Sequence, residues 1–188
     1  MKNVILTACL LFVALGYSQK KKNGTIFLEH PAIDTVNEML AAWMAGDDTK
    51  VATFLADDFK SYYGSNTNKD RKGQNKENFL KQVKSITDNL SYISLKPSKG
   101  ATPDALEYKD GDVWVQTWNH MKAMHNKTGV KMDMPFHRLF KLNDDGKIAT
   151  MINYYENRIF WEIGRSYADR QNGVLYDHHD NINTVRKA

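Results

Sequence analysis

The stretch from Gly111 to Glu156 reads as three long antiparallel strands. Tight turns join them at Asn126-Lys127-Thr128-Gly129 and Asn143-Asp144-Asp145-Gly146, where Asn, Asp and Gly tolerate the positive φ that hairpins demand. Upstream the rhythm is helical. Ile33, Val36, Leu40 and Trp43 recur at helical spacing with Met39 alongside, in a helix that Pro31 opens and Gly46 ends. Asp47 or Asp48 caps a short second helix carrying Val51, Phe54 and Leu55. Asp57-Asp58-Phe59 leads into a first strand through Tyr62-Tyr63, and Gly64 to Lys72 is expected to be a mobile polar loop. From Gly73 a third helix carries Phe79, Val83 and Ile86. Strands follow at Tyr92–Leu95, stopped by Pro97, and at Ala105–Tyr108, turning at Lys109-Asp110-Gly111. After Glu156, the apolar residues of Asn157–Ile163 fit one face of a last helix ending near Arg170.

The order is helix, helix, strand, helix, about five strands, helix, which makes the class α+β. N-terminal helices pack on a strongly curved, mostly antiparallel sheet and leave a conical cavity with one open mouth; a C-terminal helix follows. One domain spans 30–170, between a flexible segment at 19–29 and a polar tail at 171–188. Within the flexible segment, Ile26-Phe27-Leu28 is expected to dock as a short apolar clamp. There is no internal repeat, linker or second core.

The first residues have a different character. Lys2 precedes an almost wholly apolar run from Val4 to Leu15, and Gly16-Tyr17-Ser18 places small residues before a cut at Gln19. This is the pattern of a cleaved signal peptide over 1–18, so the protein is expected in the periplasm or outside the cell. Cleavage removes Cys9, the only cysteine, and with it any disulfide or thiol nucleophile. Leu6-Thr7-Ala8-Cys9 resembles a lipoprotein box, but only eight residues precede Cys9 and the apolar run continues past it.

The 188 residues suffice for one domain with a real core. Net charge is +4 and pI about 9.0, with Lys and Arg spread along the chain. The one run, Lys20-Lys21-Lys22, reads as a solvated terminus, so no nucleic-acid partner is expected. No apolar span after the first residues is long enough for a transmembrane helix.

Several short motifs resemble those of the nuclear-transport-factor-2-like superfamily, in its SnoaL-like branch. Trp43-Met44-Ala45-Gly46-Asp47 is similar to a "W..GD" helix end, and Phe54-Leu55-Ala56-Asp57-Asp58-Phe59 to a "fLadDf" step into the first strand. Asp110-Gly111-Asp112-Val113-Trp114-Val115 resembles "dGd.v.v", and Arg138–Leu142 with Asp145-Gly146-Lys147-Ile148 resembles "d.frf.dGKI". Asn153-Tyr154-Tyr155-Glu156 stands where "rdYfD" is frequent. The match covers about Pro31 to Glu156, and it implies a fold more than an activity. Relatives include ketosteroid isomerases, polyketide cyclases, epoxide hydrolases, dehydratases and plain binding modules, and they commonly dimerise through the sheet.

The resemblance also suggests a site. Trp114, Gln116, Trp118 and His120 share one face of the long strand, and related enzymes carry pocket acids at the positions of Trp118 and His120. On that reading the four residues line the cavity. The plainer alternative packs the Trp pair in the core and leaves His120 at the surface. His120 is the candidate base, since imidazole titrates near neutral pH. Of the neighbours His137 and Arg138 only one can face inward; the motif favours Arg138, and a bulge would reverse it. On the last strand Met151, Asn153 and Tyr155 are expected inside, with Asn153 helping to hold an oxygen, while Trp43 forms a wall and Tyr62 and Asp58 sit at the mouth. Asn153 stands where epoxide hydrolases and cyclases tend to carry Asp, and an amide is no base at neutral pH. Glu156 is expected to cap or bridge at the strand end.

No metal site is expected. His120 and His125 point to opposite strand faces, His178-His179-Asp180 lies in the polar tail, and Asn143–Gly146 lacks calcium-loop spacing. No cofactor motif is present. Two hypotheses remain: a pocket for a small, partly apolar ligand, as binder or as cofactor-free isomerase, cyclase, dehydratase or hydrolase; and an interaction module using the open sheet face.

Overall fold

The computed structural model describes residues 22–66, 68, 70–171, 174–176 and 185–187. The expected signal peptide over 1–18, the alternative box at Cys9 and the His178-His179-Asp180 cluster lie outside them.

In chain order the elements are β1 Gly24–Phe27, α1 Pro31–Met44, α2 Asp48–Phe54, β2 Leu55–Tyr63, β3 Gln74–Asn75, α3 Lys76–Lys84, α4 Ile86–Asn89, β4 Leu90–Pro97, β5 Asp104–Tyr108, β6 Val113–His125, β7 Lys131–Leu142, β8 Ile148–Tyr155, α5 Arg158–Gln171, β9 Val174–Tyr176 and β10 Val185–Lys187. The class is α+β: helices on a curved, unclosed mixed sheet.

Local chemistry explains the boundaries. Pro31 occupies the first turn of α1, and the His30 ring accepts from Ala32 N–H through Nδ1 at 3.1 Å. That lone pair leaves the ring proton on Nε2, which faces Glu107 Oε1 at 3.0 Å. Gly46, at φ +69°, turns the chain out of α1 without the steric penalty a Cβ brings there. Asp47 then caps α2 by accepting from Lys50 N–H at 2.8 Å. Asn75 caps α3 in the same way, so that helix starts three residues after Gly73.

The sheet runs β1-β5-β6-β7-β8-β2-β3, with β4 also on β6. Pairs are antiparallel except β2 with β8. β6 is long enough to serve β5 with its first half and β4 with its second, which bends the sheet around the helices. Residues 24–27 are an edge strand on β5, where the sequence suggested a flexible segment; the four-residue ladder orders them. Part of the expected polar tail likewise forms a pair, β9 with β10.

α1 turns Ile33, Val36, Met39 and Leu40 onto the concave side, against Phe59, Val115, Phe140 and Ile148 of the sheet. Each such side chain, fully buried, contributes about 1.5–3 kcal/mol of apolar transfer. A second cluster, Met121, Ala123, Met132, Met134 and Phe136, fills the other end and receives Ile159 and Ile163 of α5. Among the described residues no helix is long and apolar enough to cross a membrane.

Candidate functional site

Which side of β6 faces the helices decides where a ligand can go. β7 alternates cleanly: Met132, Met134, Phe136, Arg138, Phe140 and Leu142 are buried, and the residues between them are not. The β6–β7 ladder pairs Val115 with Phe140, Thr117 with Arg138 and Met121 with Met134. Directly opposed residues share a face. The concave face of β6 therefore carries Val115, Thr117, Met121 and Ala123, at 0–6% exposure.

Trp114, Gln116, Trp118 and His120 lie on the convex face, the reverse of the orientation that the resemblance suggested. The indole of Trp118 stacks on His137 at 5.1 Å and 5°, and His137 on Tyr154 at 5.8 Å. His120 is hydrogen-bonded to Asp133, whose second oxygen takes Lys122 Nζ at 3.0 Å. The hydrogen bonds from His120 and Lys122 hold the Asp133 carboxyl below the usual carboxylate range. His120 thus sits in a part-exposed surface ion cluster with no access to the hollow. Asp58 is exposed and outside the lining, and Glu156 accepts from Arg158 N–H at the start of α5.

Beneath α1 the concave face encloses a cavity of about 360 Å³. Its walls include Trp43, Met39, Phe79, Met121, Phe136 and Met151. Its polar side chains include Ser61, Tyr62, Tyr63, Arg138, Asn153 and Tyr155, with Asn66, Arg71, Lys72, Gln74 and Gln82 also in the lining. Of the residues named from sequence, Trp43, Tyr62, Arg138, Met151, Asn153 and Tyr155 are brought together here; Trp114, Gln116, Trp118 and His120 are not. Ser61, Tyr63, Arg71 and Lys72 were missed.

Arg138 dominates the electrostatics. It is 2% exposed. Its Nε donates to Asn153 Oδ1 at 3.2 Å, while Nη1 is buried with no partner. Phe136 lies 4.2 Å and Trp43 5.1 Å from the guanidinium carbon. Burial lowers its pKa from the ordinary guanidinium value to about 10, with Tyr155 opposing, so it stays charged at neutral pH.

Asn153 is fixed by its neighbours. Its Nδ2 donates to Ser61 Oγ at 3.1 Å and to Tyr62 O at 3.2 Å, which turns Oδ1 toward Arg138. Both amide hydrogens are committed to β2, and the side chain acts as a clamp on Arg138. Tyr155 packs against Phe136, Tyr63 and Phe160 at 4.8–5.5 Å. Burial, with help from Tyr63, raises its hydroxyl pKa, so it offers a proton to a ligand oxygen.

Among the described residues that line the cavity there are three cations, Arg71, Lys72 and Arg138, and no Asp, Glu or His. The arrangement can hold an oxygen and stabilise negative charge. It supplies no carboxylate or imidazole base.

No protein-family model matches the chain, and no curated protein matches it by sequence. Solved structures do. BvnE pinacolase from Penicillium brevicompactum superposes with TM-score 0.60 at 12% identity, over 74% of this chain and 96% of its own. PrhC from Penicillium brasilianum gives 0.59 at 8%, over 77% and 93%. A protein described as a SnoaL-like polyketide cyclase from Shewanella denitrificans gives 0.52 at 8%, over 73% and 99%. At these identities the likeness speaks for architecture alone. With the helices, the bent sheet and the hollow between them, it establishes that this chain shares the α+β fold of these proteins, one of them described as SnoaL-like.

Proposed function

We propose that the protein binds a small, partly apolar molecule in its conical hollow, without a cofactor, and that it does so after export. The observation that carries this is a cavity of about 360 Å³ whose walls are largely aromatic and methionine side chains and in which Ser61, Asn153 and Arg138 form one hydrogen-bonded row. That volume lies within the range of about 300–1,000 Å³ usual for small-molecule sites. Methionines such as Met39, Met121, Met132 and Met151 adapt to a ligand's shape. The neighbours include a pinacolase and a protein described as a polyketide cyclase, names that imply small organic substrates. Binding is favoured over acid–base turnover because His120 is on the other side of the sheet and the lining offers no equivalent. Chemistry in this hollow would run on charge stabilisation by Arg138 and the Tyr155 hydroxyl.

The test is calorimetric titration with a panel of small bicyclic aromatics: 2-naphthol, 2-naphthamide and 2-naphthoate. At least one should bind, and Trp43→Ala should weaken it about tenfold, the loss of one aromatic wall. The reading fails if no panel member binds, or if binding ignores Trp43→Ala and disappears in Trp118→Ala. Export is tested separately: the isolated protein should begin at Gln19, and an intact Met1 would refute it.

A second reading concerns the convex face. Trp118, His137 and Tyr154 form a part-exposed stacked ladder there, a surface on which two copies could pair through the sheet. Light scattering of the wild type against Trp118→Arg decides it: a dimer that the variant dissociates supports pairing, and a monomeric wild type ends it.

A further inference from the structure

We infer that the molecule taken by this hollow is an apolar skeleton bearing a carboxylate, and that Arg138 binds the carboxylate. The inference rests on the binding reading above and names its ligand class.

The first argument is a charge without a counter-ion. Arg138 is buried, and its hydrogen-bond partner is the neutral Asn153 oxygen. None of the salt bridges among the described residues includes it. Buried guanidinium groups are ordinarily paired, because an unpaired one forfeits its hydration for nothing. Arg138 belongs to the cavity lining, and its Nη1 is buried with no partner in the fold, which leaves that donor for a ligand oxygen. Across the ladder, Thr117 Oγ1 is a second buried and unpartnered group in the same row.

The second argument is geometry. Phe136 and Trp43 pack against the guanidinium, and Asn153 holds its Nε edge. What remains is the Nη edge. A planar oxyanion approaching in the guanidinium plane makes short, charge-assisted bonds there. Asn153 cannot neutralise Arg138, and with both its amide hydrogens held by Ser61 and Tyr62 it cannot turn away.

The third argument is the lining as a whole. Arg71 and Lys72 add positive charge, and no acidic side chain among the described lining residues opposes it. A field of one sign in a low-dielectric cleft concentrates anions. The walls are apolar, however, and a bare inorganic anion would leave Met121, Met151 and Phe79 uncovered. An amphipathic organic anion satisfies both.

The experiment compares two isosteric probes on the purified protein by calorimetry: 2-naphthoate and its neutral analogue 2-naphthamide. The wild type should prefer naphthoate by about 10- to 100-fold, the range for a charge-assisted hydrogen bond in a buried site. Arg138→Gln should bring the ratio to within about twofold, and Arg138→Lys should leave an intermediate one. Asn153→Asp, which supplies Arg138 with an internal carboxylate, should lower the same ratio; it guards against an Arg138→Gln protein that does not fold. Equal affinity of the wild type for the two probes overturns the inference while the apolar pocket stands. Failure of both probes while 2-naphthol binds overturns the inference alone, and failure of all three removes the pocket reading with it. A naphthoate preference that survives Arg138→Gln and disappears in Arg71→Gln would move the anion site to Arg71 and overturn the assignment.

Discussion

Replacing Arg138 with Met should leave the fold as stable as before, or make it more stable. The structure supplies the magnitudes. Burial lowers the guanidinium pKa well below its ordinary value, to about 10. At about 1.36 kcal/mol per tenfold change in proton affinity, the charged form is disfavoured inside the fold by about 3 kcal/mol. The sign follows from linkage. Below pH 10 the group is protonated in both folded and unfolded chains, so the folded state carries the whole penalty; only above pH 10 does deprotonation relieve it. Met removes the penalty and restores most of the volume. Against this stand the lost bond to Asn153 Oδ1 and the ring contacts, together about 1–3 kcal/mol. The expected result is therefore between no change and a gain of about 2 kcal/mol. Urea unfolding at pH 7, followed by tryptophan fluorescence and extrapolated linearly, measures it, provided the slopes agree. Breaking a satisfied buried ion pair costs about 3–5 kcal/mol. A loss of that size in Arg138→Met would mean that Arg138 has a compensating partner within the fold and that its charge is not held for a ligand.

Other outcomes follow from where side chains lie. Trp118→Ala and His120→Ala should leave pocket affinity within about twofold of wild type, since both are on the convex face; calorimetry with a bound panel member checks this. His120→Ala should leave the urea midpoint nearly unchanged, since the contact with Asp133 is exposed to solvent. Burial lowers the pKa of His125 and His137, so the unfolded chain takes up protons first and stability should fall as pH drops below about 6.5. His137→Gln should flatten that decline, and an unchanged slope between pH 7 and 5 would refute the assignment. Gly146 has φ +70° with open space around it, so Gly146→Ala should cost about 1–2 kcal/mol through backbone strain alone, read as a shift in urea midpoint.

Much of the architecture could be read from residues with local causes. Pro31 and Gly46 bracket α1, Asp47 caps α2, and Gly129 and Gly146 adopt the positive φ that the hairpins require. Orientation was harder. Alternation in β6 shows which residues share a face, but both faces carry apolar groups, so it does not show which side is inward. The answer lay in β7, where Met132, Met134, Phe136, Phe140 and Leu142 form an apolar comb, with Lys131, Asp133, His137 and Lys141 on the other face. Transferred through the hairpin at Asn126–Gly129, that comb turns Val115 and Met121 inward and the indoles outward. Arg71 and Lys72 carried no periodic signal, because a loop residue's place in a cavity depends on the folded path of the chain. Neither did Asn153 announce its role. An amide in a strand looks the same whether it binds substrate or clamps an arginine, and only its contacts with Ser61, Tyr62 and Arg138 separate the two.

A crystal structure of the protein soaked with 2-naphthoate decides whether Arg138 is the anchor. The carboxylate should lie in the hollow with an oxygen about 2.7–2.9 Å from Nη1 and the rings between Trp43 and Met151. A naphthoate seated on Arg71 and Lys72 alone, or stacked on Trp118 outside the cone with the hollow unchanged, would show that the buried charge serves something other than a ligand.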